Sequence, residues 1–223
     1  MRIKTFIVAL AVGAVGFSSQ GVAGKVRGVV EIFTSQGCSD CPPADRAFSS
    51  VINNNGVLGL AWHVDYWDYL GWRDTFSSAQ ATARQRNYGK GAYTPEVIVN
   101  GTSVISNSRS SAAIASALGG SLPVDVSLRS DGKGHTVEVG AGSGRANLLL
   151  VKFHRSKTVA IQRGENAGKN VTYQHPVIGS RRIGSWNGTS QSIALKPGEC
   201  SGGVGCAVLL QVGTGRILGA ATL

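Results

Sequence analysis

Between an apolar run at residues 29–33 and an amphipathic segment at 43–54, the chain carries Cys38-Ser39-Asp40-Cys41. This arrangement places two thiols, two residues apart, at a strand-to-helix turn, and it commits the surrounding sequence to a β-α unit. Val29, Val30, Ile32 and Phe33 have the near-continuous hydrophobicity of a strand covered on both faces. The run ends at Ser35-Gln36-Gly37. In the following segment Ala44, Ala47, Phe48, Val51 and Ile52 share one helical face, and proline is tolerated in a first turn. Because Pro42 and Pro43 disfavour helical backbone in the residue before each, the helix is expected to begin after both cysteines. A second apolar strand follows at 57–64, then the aromatic stretch from His63 to Trp72, a helix at 75–88 and Thr94-Pro95 leading into Val97-Ile98-Val99. Asn100-Gly101 is a hairpin turn, and residues 111–118 supply a further helix. The order predicted is β-α-β-α-β-β-α.

After Gly119-Gly120 the texture changes. Strand-like runs at 124–128, 135–139, 146–153, 158–162, 191–195, 206–212 and 216–222 alternate with glycine-rich turns, which predicts an all-β, sandwich-like module. The boundary falls near Ser121-Leu122-Pro123, dividing residues 24–120 from 121–223. Whether the strands close as a sandwich of their own or pack onto the first module is left open by the pattern.

The N-terminus adds an address. Arg2 and Lys4 precede an apolar run from Thr5 to Phe17, too short to span a bilayer, and the small-residue site Gly21-Val22-Ala23, so residues 1–23 read as a secretory signal peptide. A periplasmic or secreted chain meets oxidising surroundings, and four cysteines pair most simply as Cys38 with Cys41 and Cys200 with Cys206, the latter a structural bridge. The formal net charge of +10 is spread thinly, without interleaved aromatics or a reading motif, so neither nucleic-acid binding nor stable membrane insertion is expected. Asn100, Asn170 and Asn187 begin Asn-x-Ser/Thr matches that matter only in a glycosylating host.

The chemistry rests on the cysteine pair. A thiolate at Cys38 attacks a disulfide, and Cys41 resolves the mixed disulfide, a two-electron cycle that needs no cofactor. The first cysteine of such a turn is expected to be the exposed one. Asp40 adds a negative charge that opposes thiolate formation. Zinc is not expected, since neither a second C-x-x-C nor His-x-x-x-His completes a site. Two other classes stay open: a binding protein with an inert Cys38-Cys41 bridge, and a copper carrier using Cys38, Cys41 and His63. Glu31 interrupts its strand and reads either as a proton relay to Cys41 or as the ion-pair partner of Arg84 or Arg86. His63 and Asp65 either steer protons or order the loop after their strand. Tyr66 and Trp67, with Tyr69 and Trp72, either roof the cysteines as a peptide-binding lip or pack the inserted helix.

Four stretches carry a resemblance: residues 33–45, the run His63 to Trp72, Thr82-Ala83-Arg84-Gln85-Arg86 and Tyr93-Thr94-Pro95. Together they resemble the secreted bacterial DUF1223 family, a domain family of unknown function. More distantly, the C-x-x-C, the element order and Thr94-Pro95 resemble the thioredoxin-like fold. That likeness implies a cis-proline at Pro95 beside the cysteines, with Thr94 bordering the site for an extended client. Its partners would be protein thiols or disulfides and a further redox protein.

Overall fold

The computed structural model describes residues 25–54, 56–89, 91–130 and 134–223, so the predicted leader at 1–23 lies outside the described residues. The first half contains β1 (Gly28–Thr34), α1 (Cys41–Ile52), β2 (Val57–His63), α2 (Ala79–Asn87), β3 (Glu96–Val99), β4 (Ser103–Val104) and α3 (Ser111–Ala117). Its sheet runs β2-β1-β3-β4, with β1 and β2 parallel and β3 antiparallel to β1. Every residue of β1, β2 and β3 is buried, which explains why their hydrophobicity does not alternate.

α1 begins at Cys41, not after it, with Asp40 as N-cap. Pro42 and Pro43 sit in its first turn, where the N–H groups they lack have no helical partner in any case. The helix lays Ala44, Ala47, Phe48, Val51 and Ile52 against Val30, Ile32, Ala61, Val97 and Val99. Gly59 makes the close approach possible: a Cβ there would stand 2.3 Å from Ile52 Cγ2 and 2.8 Å from Phe48 Cζ. α2 is shorter than predicted. It starts after Ser78, whose hydroxyl accepts the Ala81 N–H at 3.1 Å.

The second half is entirely strands: β5 (Val126–Ser130), β6 (His135–Val139), β7 (Ala146–Phe153), β8 (Ser156–Ala160), β9 (Asn170–Gln174), β10 (Val177–Trp186), β11 (Gln191–Ala194), β12 (Gly205–Gln211) and β13 (Ile217–Thr222). They form a sheet β10-β7-β12-β13, a sheet β11-β6-β5 and a separate hairpin β8-β9. Strand alternation shows how these stack. On β12, Val208 and Leu210 face Leu128, Val137 and Trp186, whereas Ala207 and Leu209 face Val29, Phe33, Leu60 and Trp62 of the first sheet. The module therefore packs onto the first half through a shared core, giving layers of helices, mixed sheet, antiparallel sheet and antiparallel sheet. The Asn100-Gly101 turn, both residues at positive φ, touches the far module: Ile217 N–H donates to Asn100 O at 2.9 Å. The Asn100 side chain bonds Val29 N–H and Leu118 O, so it is occupied structurally.

Cys200 and Cys206 are bonded, with Cys206 fully buried in the core between the two antiparallel sheets. Replacing both by serine is expected to lower stability by about 2 kcal/mol through the lost loop closure, or roughly 5 °C in Tm. Thermal melting checks this, and an unchanged Tm would contradict it.

Candidate functional site

Cys38 and Cys41 form a disulfide with Cα atoms 5.4 Å apart. The turn that holds them is built from short-range bonds: Cys38 N–H donates to Ser35 O and Cys41 N–H to Cys38 O, both at 3.2 Å. Two longer-range supports fix its approach. Gln36 N–H donates to Asp74 Oδ2 at 2.7 Å, and Trp72 Nε1 donates to Gln36 Oε1 at 2.8 Å. Trp67 packs directly on Gly37, where a Cβ would lie 3.2 Å from Trp67 Cβ.

The expected exposure of Cys38 is not observed. Cys38 is 2% exposed and Cys41 0%. The reason lies 128 residues away in sequence, in the loop joining β8 to β9. Asn166, itself fully buried, donates through Nδ2 to Gln36 O at 2.9 Å and to Cys38 O at 2.8 Å. Glu165 Oε2 accepts the Ser39 N–H at 3.2 Å. Asp40 points outward and pairs with Arg109 at 2.6 Å, an exposed bridge of small energetic weight.

Thr94-Pro95 is cis, and contacts on either side tie this segment to the cysteine turn. Trp67 Nε1 donates to Thr94 Oγ1 at 2.8 Å. Ser108, next to Arg109, donates to Pro95 O at 3.4 Å. Tyr66 is half-buried and donates to Gln85 Oε1 at 3.0 Å, with burial pushing its phenol up to about 12. Tyr66, Trp67 and Trp72 thus brace the loops around the motif, while Tyr69 is 81% exposed.

Glu31 does not serve Cys41. It lies on the face of β1 that Val29 and Phe33 turn toward the β module, away from α1, because strand neighbours alternate. There its carboxylate accepts from Trp62 Nε1 at 2.7 Å, Arg84 Nε at 2.6 Å and the Tyr88 hydroxyl. Arg84 also reaches Gln211 Oε1 at 3.3 Å, so this buried ion pair joins the two halves. Burial alone would lower the Arg84 guanidinium, but Glu31 and Tyr88 together outweigh it and the pKa is raised.

A second buried carboxylate lies on α1. Asp45 follows Cys41 by one helical turn on the same face of α1 and is 8% exposed. Burial pushes it up to about 7, against the pull of His63. Thr34 and His63 are paired neighbours at the ends of β1 and β2. His63 Nδ1 lies 2.7 Å from Asp74 Oδ2 and its ring is gripped edge-on by Phe76 and Tyr173. Burial pulls the imidazole down, but the Asp74 carboxylate more than offsets this and holds it raised. Asp45 Oδ2 and His63 Nε2 are buried without a hydrogen-bond partner. The copper set of Cys38, Cys41 and His63 is not assembled: among the described residues no three His, Cys, Asp or Glu groups converge as metal ligands. Asp65 instead accepts from the Thr82 hydroxyl at 2.6 Å and orders its loop.

Sequence reasoning missed both Asp45 and Asn166. The first carried an available signal, its spacing of four from Cys41; the second carried none, since only the tertiary fold brings it to the motif.

Asp45 binds its proton more tightly folded than unfolded. Its contribution to stability is complete below about pH 4 and is lost as pH rises through about 7, a change on the order of 4 kcal/mol. The raised His63 acts in the same direction, losing its contribution as pH climbs above 6.5. Asp45→Asn is therefore expected to flatten the fall in stability between pH 4 and 8, measured by urea unfolding; parallel curves for the two proteins would refute this.

The family model described as protein of unknown function (DUF1223) matches residues 29–211. A crystal structure of protein AGR_C_4864 from Agrobacterium tumefaciens is similar, with 37% identity, a TM-score of 0.80 and coverage of 89% of this chain and 94% of that one. HBP35 of Porphyromonas gingivalis shares the fold at 14% identity and a TM-score of 0.60, over 90% of this chain and 76% of that one. None of the curated proteins matches.

Proposed function

We propose that this chain, which belongs to the DUF1223 family, is an exported thioredoxin-like protein that exchanges protein thiols and disulfides through Cys38 and Cys41. The observation that carries this reading is a C-x-x-C disulfide at the first turn of a helix with a proton-holding carboxyl, Asp45, one turn below Cys41. Two disulfides support an oxidising compartment, and no helix among the described residues is long and apolar enough to cross a membrane.

Starting from the disulfide, a client thiolate attacks Cys38 Sγ. The Cys38–Cys41 bond breaks, and Cys41 leaves as a thiolate that takes the proton of Asp45. A second client thiolate then attacks the client sulfur of the mixed disulfide and releases Cys38. The client gains a disulfide, the protein becomes a dithiol, and the two client protons finish on Cys38 and Cys41, with Asp45 reprotonated from solvent. The reverse sequence reduces a client disulfide. In this reading an extended client lies along Thr94 and Pro95, which Trp67 links to Gly37 of the cysteine turn.

The burial of Cys38 favours a second reading, a binding protein with an inert bridge. Insulin reduction with dithiothreitol as the terminal reductant separates them. The exchange reading expects acceleration by the wild type and none by Cys38→Ser; equal rates with and without protein would favour the inert bridge.

A further inference from the structure

We infer that residues 162–169 are a specificity-determining cover on Cys38–Cys41, held by Asn166 in the place of a client peptide, so that the motif reacts with polypeptide thiols in preference to small ones. The inference rests on the thiol-exchange reading and names its substrate class.

β8 and β9 pair only with each other and form an arm that leaves the β module and crosses onto α1 and β2. The base of the arm's loop is closed by its own backbone, Ile161 N–H to Lys169 O at 2.9 Å and Gly168 N–H to Ile161 O at 2.8 Å. Beyond that base, Gly164 and Gly168, both at positive φ, bend the chain on either side of Asn166.

The tip's polar contacts with the cysteine turn are made to backbone groups. The Asn166 carboxamide donates to Gln36 O and Cys38 O, and Lys169 Nζ, 2.7 Å from Asn166 Oδ1, fixes which end of the amide faces the motif. Glu165 accepts from Ser39 N–H. A side-chain carboxamide has the donor and acceptor of a peptide bond. The cover thus satisfies two carbonyls and one N–H, groups of the kind that the successive amides of a client main chain pair with.

This sets the selectivity. Lifting the cover to admit a reactant breaks the Asn166 bonds to Gln36 O and Cys38 O and leaves those carbonyls to water, a net loss for the opened form. An extended polypeptide replaces those bonds as it enters. A small thiol such as 2-mercaptoethanol has no amide to offer, so its attack on Cys38 Sγ bears the full cost of opening.

The experiment compares two reductants of Cys38–Cys41 at equal thiolate concentration: 2-mercaptoethanol and an extended twelve-residue peptide with one cysteine. Mixed disulfides at Cys38 are quantified by mass spectrometry after acid quenching. In the wild type the peptide is expected to react about tenfold faster than 2-mercaptoethanol, the equivalent of one to two hydrogen bonds. Asn166→Ala and Asn166→Asp, the second keeping the shape but losing both donors, should raise the 2-mercaptoethanol rate about tenfold and bring the ratio close to one. Glu165→Ala, an exposed position, gives a smaller change in the same direction if the Asn166 variants fail to fold. Equal wild-type rates for the two reductants, or an unchanged ratio in the variants, would overturn the cover while leaving thiol exchange standing. Failure of both reductants to open the bridge in the wild type and in every variant would overturn thiol exchange itself and the cover with it.

Discussion

A Cys41→Ala variant, expressed as the full chain and quenched in acid with an alkylating agent, is expected to retain client proteins on Cys38 as reductant-sensitive adducts. Cys38→Ala is expected to retain about tenfold less or none. The asymmetry follows from position. Cys41 is the first residue of α1 and fully buried, with helix and sheet behind it, whereas Cys38 lies in the turn before the helix, where the β8–β9 loop bonds its carbonyl. Removing Cys41 deletes the thiol that would expel the client, so the mixed disulfide persists. Mass spectrometry of the adducts reads the result. Equal yields from the two variants would transfer support to the inert-bridge reading.

The second large effect is on stability. Glu31→Ala is expected to cost about 3–5 kcal/mol, because it leaves the Arg84 guanidinium at a buried junction without its counter-charge. Trp62 Nε1 and the Tyr88 hydroxyl lose their acceptor as well. Glu31→Gln keeps an oxygen for Trp62 and should cost less. Denaturant unfolding measures both, and a loss below about 1 kcal/mol for Glu31→Ala would contradict the joining role assigned to this pair.

The elements of the first half were readable because they obey local rules. The fully buried strands showed continuous apolar runs, the helix after the cysteines showed a single apolar face, and Asn100-Gly101 announced its turn chemically. β10 was missed for a physical reason: Gly179, Ser180, Arg181, Arg182 and Gly184 give it neither alternation nor a run, and its place is secured by pairing with β7. β9 was missed for a similar reason, since only Tyr173 of its five residues is buried. Helix α1 starts two residues earlier than the prolines suggested, since the first turn tolerates what a helix interior does not.

The site was half legible. Cys38, Cys41, Thr94 and Pro95 stand out in sequence, and contacts through Trp67 and Ser108 link the two segments. Glu31 illustrates the limit of strand reasoning: its place in an apolar strand marks a buried carboxylate in need of a basic partner, but which face it occupies depends on what covers each side of the sheet. Asn166 was illegible, because local sequence contains no record of a loop returning to a motif more than a hundred residues earlier.

The reduction potential of the Cys38–Cys41 pair tests the central claim most directly. The wild type, or a Cys200→Ser/Cys206→Ser background that leaves one pair to report, is equilibrated in graded dithiol buffers and the thiols are alkylated and counted. Thiol exchange predicts a potential above about −300 mV, in the range of pairs that cycle with protein partners. A value below about −300 mV would place the pair among bridges that hold structure and would contradict the account.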